Sequence, residues 1–524
     1  MTPLEVLRRY PPHDSTLYGA LASRSQTVPE HPFVEFRDAR LSYAEVRIHV
    51  HDMIALLASY GVRPGERIAV MSQNHPATVA VLIALASLGA IMVGVNPDFG
   101  EKEARYVLEH SGSSGIICSP AALPTVQAVA ATLTPRPWIM TNERNPKEVS
   151  SSAPQASGRA DDVCLIIYTS GTTGLPKGVM HSQRSIVLAG EGFVRRMHLQ
   201  PAERVLCILP MFHVNAIFYS FLGALAAGAT LLLEEKFSAS NFWKTVAARG
   251  ATEVNTIAAV MNILMRRPRE EFVPGHSLRK IYGAPFSPEM YRVFEEEFGV
   301  PHLIEGYGMS EIPGALNNPF DGERRKGAMG KPSLHPDPAV NLAEVKIVDD
   351  DFNEVAVGTA GEMVVRTPTI MKGYYRDAEA SAAAFRDGYF LTGDLARMDE
   401  DGYLWFVARK KDIIRRRGEN ISGAEIDLVA GEHPEVVEAA AIGVPAELGE
   451  DEVLLAAVRK PGSTLTERDL GEWCRARLAA FKVPRFVLFV DKLPRTPTHR
   501  VAKFELRKDP ALKARAVDLS EKGT

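Results

Sequence analysis

Cysteine is scarce in this chain: there are four in 524 residues. They stand at positions 118, 164, 207 and 474, and no C-x-x-C pair occurs among them. A disulfide scaffold or a structural zinc site is therefore not expected, and a reducing compartment, the cytoplasm, is. Excess positive charge is lacking too. Sixty Lys and Arg face 64 Asp and Glu, a formal net charge of −4, so no nucleic-acid partner is expected, because such affinity rests on basic surface. Gly (40) and Pro (35) are ordinary in frequency and aperiodic, which excludes collagen-like order and low-complexity disorder. The start, MTPLEVLRRYPPHDSTLYGA, has no apolar run after a basic segment, so no secretory signal is expected. One stretch, Pro76 to Val95 (PATVAVLIALASLGAIMVGV), has the length and lack of charge of a membrane span. Gly89 splits it into an Ala/Leu-rich half and a β-branched half that ends at Asn96-Pro97. Helix, Gly, buried strand is an α/β pattern, so no transmembrane segment is expected.

What is present is a hydrophobic share of 46% with 24% charge, the balance of a soluble chain with several folding units or one large core and a satellite. One grammar occurs twice. RPGERIAV from Arg63 is followed by ALASLGAIMVGV, and QPAERVLC from Gln200 by GALAAGATLLL. Each copy reads turn, strand, helix, Gly, strand, which predicts two similar α/β subdomains in the first 330 residues or so. From about Asn341, LAEVKIVD, GEMVVRTP and GYLWFVAR read as short strands of a β-rich part. A basic segment, RKKDIIRRRG from Arg409, follows, and the remainder alternates helix and strand signals, including a Thr-x-x-Asp helix start at Thr466. The expected fold class is α/β: a large domain over residues 1–408, a hinge at 409–412, and a small mobile α+β domain over 413–524.

The stretch richest in chemistry is Tyr168 to Gly178, YTSGTTGLPKG. A buried strand, VCLIIY, leads into Thr169, Ser170, Gly171, Thr172, Thr173, Gly174, Pro176 and Lys177. Glycines let backbone N–H groups converge as an anion nest, hydroxyls add donors and Lys177 adds charge, a composition suited to phosphate oxygens. It is not a GxxxxGK[ST] loop, because Pro176 precedes Lys177 and Gly178 follows it.

This loop resembles the signature of the adenylate-forming superfamily of acyl- and aryl-CoA synthetases, nonribosomal adenylation domains and luciferases. The resemblance runs along nearly the whole chain. Gly283-Ala284-Pro285 resembles the turn beside adenine, Tyr307-Gly308-Met309-Ser310-Glu311 the family's YGxTE, and Thr392-Gly393-Asp394 its TGD. Arg409-Lys410-Lys411-Asp412 is similar to the hinge segment and Gly418-Glu419-Asn420-Ile421-Ser422 to the loop after it. The resemblance implies that a carboxylic acid is activated as an acyl-adenylate and then passed to CoA. It implies that the 169–174 loop and Lys177 hold the β- and γ-phosphates of ATP, with Thr169 and Glu311 among the catalytic groups and Glu311 holding Mg²⁺. Tyr307 would stack on adenine, Asp394 would accept from the ribose hydroxyls, and Arg409 would donate nearby. Lys411 would be the hinge residue, and Gly418, Glu419 and Asn420 would line the CoA path. The basic run Arg415-Arg416-Arg417 is read either as a solvated face or as a contact for CoA phosphates.

One departure stands out. Where the family ends in a Gly-Lys pair whose Lys contacts the reacting carboxylate and α-phosphate, this chain has His499-Arg500, with Lys503 three residues on. Arg keeps the charge but not the compact ammonium, so Arg500 and Lys503 are both candidates for that catalytic role. PMFHVN, Pro210 to Asn215, resembles the segment at the acyl tunnel and makes His213 the acyl-pocket candidate. The expected activity is an AMP-forming acyl-CoA synthetase using ATP, Mg²⁺, CoA and a small carboxylic acid; a homodimer is compatible with it. The rivals are an acyl-AMP ligase that loads a carrier protein or an amine, and a binding protein that lost adenylation with the change at Arg500.

Overall fold

The computed structural model describes residues 1–144, 157–169, 175–416, 419–445, 451–495 and 501–520. Ser170 to Gly174, Arg417, Gly418 and Arg500 therefore lie outside the described residues.

Both copies of the repeated grammar form the expected elements. In the first, the strand Arg67–Met71 leads to the helix Pro76–Ser87 and the strand Ile91–Val95, and the two strands pair in parallel from Arg67↔Ile91 to Met71↔Val95. In the second, Arg204–Cys207 leads through the π-helical Asn215–Phe221 and the helix Leu222–Ala227 to Thr230–Leu233, again in parallel. Gly89 and Gly228 each close their helix at φ +69°, the left-handed turn that costs glycine least. The copies belong to different sheets. The first lies in a seven-stranded sheet with Val163–Thr169 and Lys177–Ser182; the second lies in a nine-stranded sheet with Lys280–Gly283 and His302–Tyr307.

The helices between these sheets explain the membrane-like stretch. Every residue from Thr78 to Ser87 is buried, within one core that also takes in Ile68 and Met92 of the first sheet and Val205 and Leu231 of the second. A helix packed on all sides has no need of a polar face. Among the described residues no helix is long and apolar enough to cross a membrane. The outer face of the seven-stranded sheet (Ala69, Val93, Ile116, Ile166) is covered by apolar residues of Glu101–Ser111 and Leu123–Ala130.

A five-stranded antiparallel sheet follows, with Glu344–Val348, Gly361–Arg366, Tyr389–Met398 and Leu404–Arg409 as its longer strands. A turn at Lys410–Asp412 leads out of it into the strand Ile413–Arg416, which pairs with Glu419–Ser422. The chain then builds a four-stranded sheet around Val436–Pro445 and Asp451–Arg459, with the helices Gly423–Gly431 and Glu467–Arg475. Thr466 caps the latter as its sequence predicts: its Oγ1 accepts from Asp469 N–H, and Asp469 accepts from Thr466 N–H, both at 3.2 Å. All four cysteines are buried and unpaired.

The basic run divides between two fates. Arg415 is exposed, but Arg416 is buried, pairs with Glu452 at 2.7 Å and donates to the carbonyls of Phe481 and Val483. Neither a solvated face nor a contact for CoA phosphates describes Arg416; it ties the first strand after the turn to the small sheet.

Candidate active site

The strands Val163–Thr169 and Lys177–Ser182 are antiparallel, and their last pair, Thr169↔Lys177, faces across the base of the 170–174 loop. Lys177 is thereby held opposite Thr169 by a β-ladder. Its ammonium lies 3.7 Å from Asp377 and 4.8 Å above the ring centre of Tyr374, a cation–π contact. The Tyr374 hydroxyl donates to Glu311 Oε1 at 2.9 Å. Burial, then the neighbouring Glu311 carboxylate, pushes the Tyr374 phenol up, so it stays protonated as a donor. Lys177 and Glu311 thus sit on either side of one aromatic residue.

Backbone pairing fixes that arrangement. The strand Gly373–Tyr374 adds to the edge of Lys177–Ser182 through Gly373↔Met180 and Tyr374↔Val179. Met371 N–H donates to the Glu311 carbonyl at 2.8 Å, and Tyr375 N–H to the Gly178 carbonyl at 2.7 Å. His181, on the same ladder, donates from Nε2 to the Ser310 carbonyl at 2.7 Å. Burial lowers the His181 pKa to about 4, so the ring is neutral at pH 7. Its Nδ1 lies 3.3 Å from Ser185 Oγ, and its ring meets that of Phe218 on the π-helix edge-on at 4.9 Å.

A second cluster surrounds Asp394. The Tyr307 hydroxyl donates to Asp394 Oδ2 at 2.6 Å and Arg409 Nε to Oδ1 at 2.7 Å. Asp394 is 1% exposed. Burial, reinforced by the Asp394 carboxylate, raises the Tyr307 phenol well above its ordinary range. Burial opposes the charge on Arg409, but Asp394 outweighs it and keeps the guanidinium protonated. Asp394↔Arg409 is a cross-strand pair, and Gly393 turns the chain before Asp394 at φ +67°. Tyr307 ends the strand His302–Tyr307, so Tyr307 and Glu311 of one short segment join the two clusters. Between them, a Cβ on Gly308 would stand 2.5 Å from the Gly314 nitrogen, so only glycine fits; Met309 packs half-buried against the core of the five-stranded sheet.

Gly283 ends the adjacent parallel strand Lys280–Gly283, and Ala284-Pro285 follows with a cis peptide. This turn is held by Glu305, whose carboxylate accepts from Phe286 N–H at 2.9 Å, from Gly327 N–H at 3.0 Å and from the Tyr291 hydroxyl. Burial raises the Glu305 pKa. Sequence reasoning missed Glu305, although an acidic residue inside the apolar strand HLIEGY is a visible signal. It also missed Tyr374 and His181, for which no local signal exists.

The remaining candidates are more dispersed. The His213 ring lies tilted beside that of Phe212, 4.4 Å between centres, just before the π-helix; Phe212 in turn fills the space beside Gly94, whose Cβ would lie 3.2 Å from it. Lys411 is in the exposed turn Lys410–Asp412. Glu419 and Asn420 lie on the strand opposite Arg416 and Arg415. Lys503 is the first residue of the helix Lys503–Lys508, and its ammonium pairs with Asp427 at 2.5 Å. Asp427 also accepts from Ala441 N–H at 2.5 Å, so Lys503 is engaged inside the small sheet's own packing.

Comparisons with known proteins show which family the chain is similar to. A family model described as AMP-binding enzyme matches residues 21–375, and one described as AMP-binding enzyme C-terminal domain matches 425–500. Sulfoacetate–CoA ligase of Cupriavidus necator is 30% identical over 503 residues, 94% of this chain and 97% of that protein. Indoleacetate–CoA ligase of Aromatoleum aromaticum is 33% identical over 490 residues, 90% of this chain and 94% of that one. The crystal structure of ATP-bound MatB from Rhodopseudomonas palustris has a TM-score of 0.85 at 27% identity, covering 96% of this chain and 100% of that chain.

Proposed function

This chain belongs to the family of AMP-binding enzymes and is an acid–thiol ligase that joins an acid to CoA through an adenylate, and from that premise we propose how its residues divide the work. The carrying observation is the Lys177–Tyr374–Glu311 arrangement at the base of the 170–174 loop. A cation and a carboxylate held one ring apart suit a polyphosphate and its divalent counter-ion. Thr169, the hydroxyl- and glycine-rich loop and Lys177 bind the β- and γ-phosphates. Glu311, a hard oxygen ligand with one oxygen already oriented by Tyr374, fits Mg²⁺, which would neutralise charge on the phosphates.

Tyr307 packs on adenine, the turn Gly283-Ala284-Pro285 borders it, and Asp394 with Arg409 receives the ribose hydroxyls. A carboxylate oxygen of the acid attacks the α-phosphorus, and pyrophosphate leaves. The CoA thiol then attacks the acyl carbon, giving up its proton, and AMP leaves with that carboxylate oxygen. Residues 1–408 carry the first step; 413–524, turning about Lys411, bring Glu419, Asn420 and Gly418 to the CoA. Because Lys503 is engaged by Asp427, Arg500 is the better candidate for the cation at the reacting carboxylate. His213 borders the acyl group.

The acids named for the relatives, sulfoacetate and indoleacetate, differ in charge and size. The experiment is pyrophosphate release from ATP and Mg²⁺ with a panel of acids, with and without CoA. Acid-dependent release that turns over continuously only with CoA supports the reading; turnover with a carrier protein or amine in place of CoA would replace it.

A further inference from the structure

Arg196 is an interior charge without an acid to balance it. It sits in the last turn of the helix Gln183–Met197, 3% exposed. Of the other buried arginines, Arg416 pairs with Glu452 at 2.7 Å, whereas Arg24 donates to the Ala226 carbonyl at 3.0 Å and has Glu191 near enough to support its charge. Among the described residues, no carboxylate reaches ion-pair distance of Arg196. Nη2 donates to the Gly314 carbonyl at 2.7 Å and to Ser333 Oγ at 3.3 Å. Nε and Nη1 are fully buried and have no hydrogen-bond partner among the described residues. The rings of Phe193, Tyr219 and Tyr282 surround the guanidinium at 5.3–5.6 Å. Cation–π contacts offset part of the desolvation, but they leave the N–H donors unmet.

The position of this cation bears on function. Gly314 closes the turn that follows Ser310-Glu311, and a Cβ on it would lie 2.2 Å from Arg196 Nη2. Tyr282 immediately precedes the Gly283-Ala284-Pro285 turn, and a Cβ on Gly306 would lie 2.3 Å from its hydroxyl. Tyr219 belongs to the π-helix that begins after His213. Three segments converge on the guanidinium: the helix beside the acyl-pocket candidate, the strand leading to the adenine turn, and the loop after Glu311.

We propose that Arg196 is a specificity residue at the floor of the acyl pocket, and that the acid this enzyme activates carries a second anionic group, a carboxylate or sulfonate, at its far end. The inference rests on the acid-activating reading above. The two unmet donors of a planar guanidinium suit two anionic oxygens. The aromatic cage holds the fork in place and keeps water from competing. An acid ending in a methyl group leaves those donors unmet, and a site with unmet polar groups discriminates strongly against the analogue that lacks the matching group.

The test uses the full chain with ATP, Mg²⁺ and CoA, and reads kcat/KM for acyl-CoA formation. Three series of matched chain length are compared: α,ω-dicarboxylic acids, ω-sulfo carboxylic acids, and unsubstituted monocarboxylic acids. The best doubly anionic acid should exceed its monocarboxylic match by at least about 100-fold, and the better of the two doubly anionic series identifies the terminal group. In Arg196→Met that ratio should fall towards unity, and Arg196→Lys should keep part of it. Equal use of all three series, or preference for monocarboxylic acids, would overturn the inference and leave acid activation standing. A ratio unchanged in Arg196→Met would overturn it as well. Should the substituted chains not fold, the wild-type series alone decides. Failure of every acid to support turnover would sink the acid-activating reading first, and this inference with it.

Discussion

Tyr374 is the residue on which the phosphate end of the site turns. Its hydroxyl orients Glu311 and its ring carries Lys177. Tyr374→Phe keeps the ring and removes the hydroxyl. A hydrogen bond to a charged group contributes about 1.5–3 kcal/mol, so kcat/KM for MgATP should fall by about 10- to 100-fold. The Mg²⁺ requirement should rise with it, while thermal stability changes little; steady-state kinetics over a magnesium series checks both.

His181 gives a pH signature at the same scale. Its folded pKa, about 4, lies below the ordinary histidine value of about 6.5 because burial disfavours the charged ring. A base depressed in this way binds its proton more readily when unfolded. The stability it contributes is complete above pH 6.5 and is lost as pH falls towards 4, with about 2 kcal/mol gone by pH 5. Urea unfolding of wild type and His181→Gln should show a steeper acid-side decline in wild type across that window. Parallel curves would reject the assignment.

These residues also mark where sequence reading stops. Lys177 and Glu311 were visible because their local motifs are distinctive. Tyr374 was not, because its importance comes from an edge strand joining a distant ladder. Lys503 was read as a catalytic candidate from its distance to Arg500; that Asp427 would engage it depends on how two helices of the small unit meet, which no spacing reveals.

At the scale of elements, the repeated strand–helix–Gly–strand grammar was legible because each copy buries a complete helix between two sheets. The π-helix Asn215–Phe221 was not legible, since an apolar run does not reveal an extra residue in a turn. A link between elements that the sequence also hides is Glu362. One of its oxygens accepts from Gly393 N–H at 3.1 Å and the other pairs with Lys410 at 3.0 Å. It thereby ties the Asp394 turn to the turn at Lys410–Asp412. Glu362→Gln retains an acceptor for Gly393 and loses only a half-exposed ion pair, so KM for ATP should rise less than about twofold. Glu362→Ala removes both and should raise it about 5- to 10-fold. Equal effects of the two substitutions would show that the Gly393 contact does not matter.

The whole molecule divides its labour, and the late basic residues test that division. Arg500→Ala should lower acid-dependent pyrophosphate release by at least about 100-fold without destabilising the fold, as loss of a charge-stabilising group does. Lys503→Ala should instead destabilise the small unit, by about 1–3 kcal/mol, because partly buried Asp427 loses its cation; release per folded molecule should persist. The reverse pattern would place Lys503 at the reacting carboxylate.

Above all, the account requires that the acid attack the α-phosphorus of ATP. An acid labelled with ¹⁸O in its carboxylate, incubated with the enzyme, ATP, Mg²⁺ and CoA, traces that bond directly by mass spectrometry of the nucleotide. The account predicts AMP carrying a single labelled oxygen and unlabelled pyrophosphate. Label in inorganic phosphate with ADP as the nucleotide product, or unlabelled AMP alongside acyl-CoA, would contradict it.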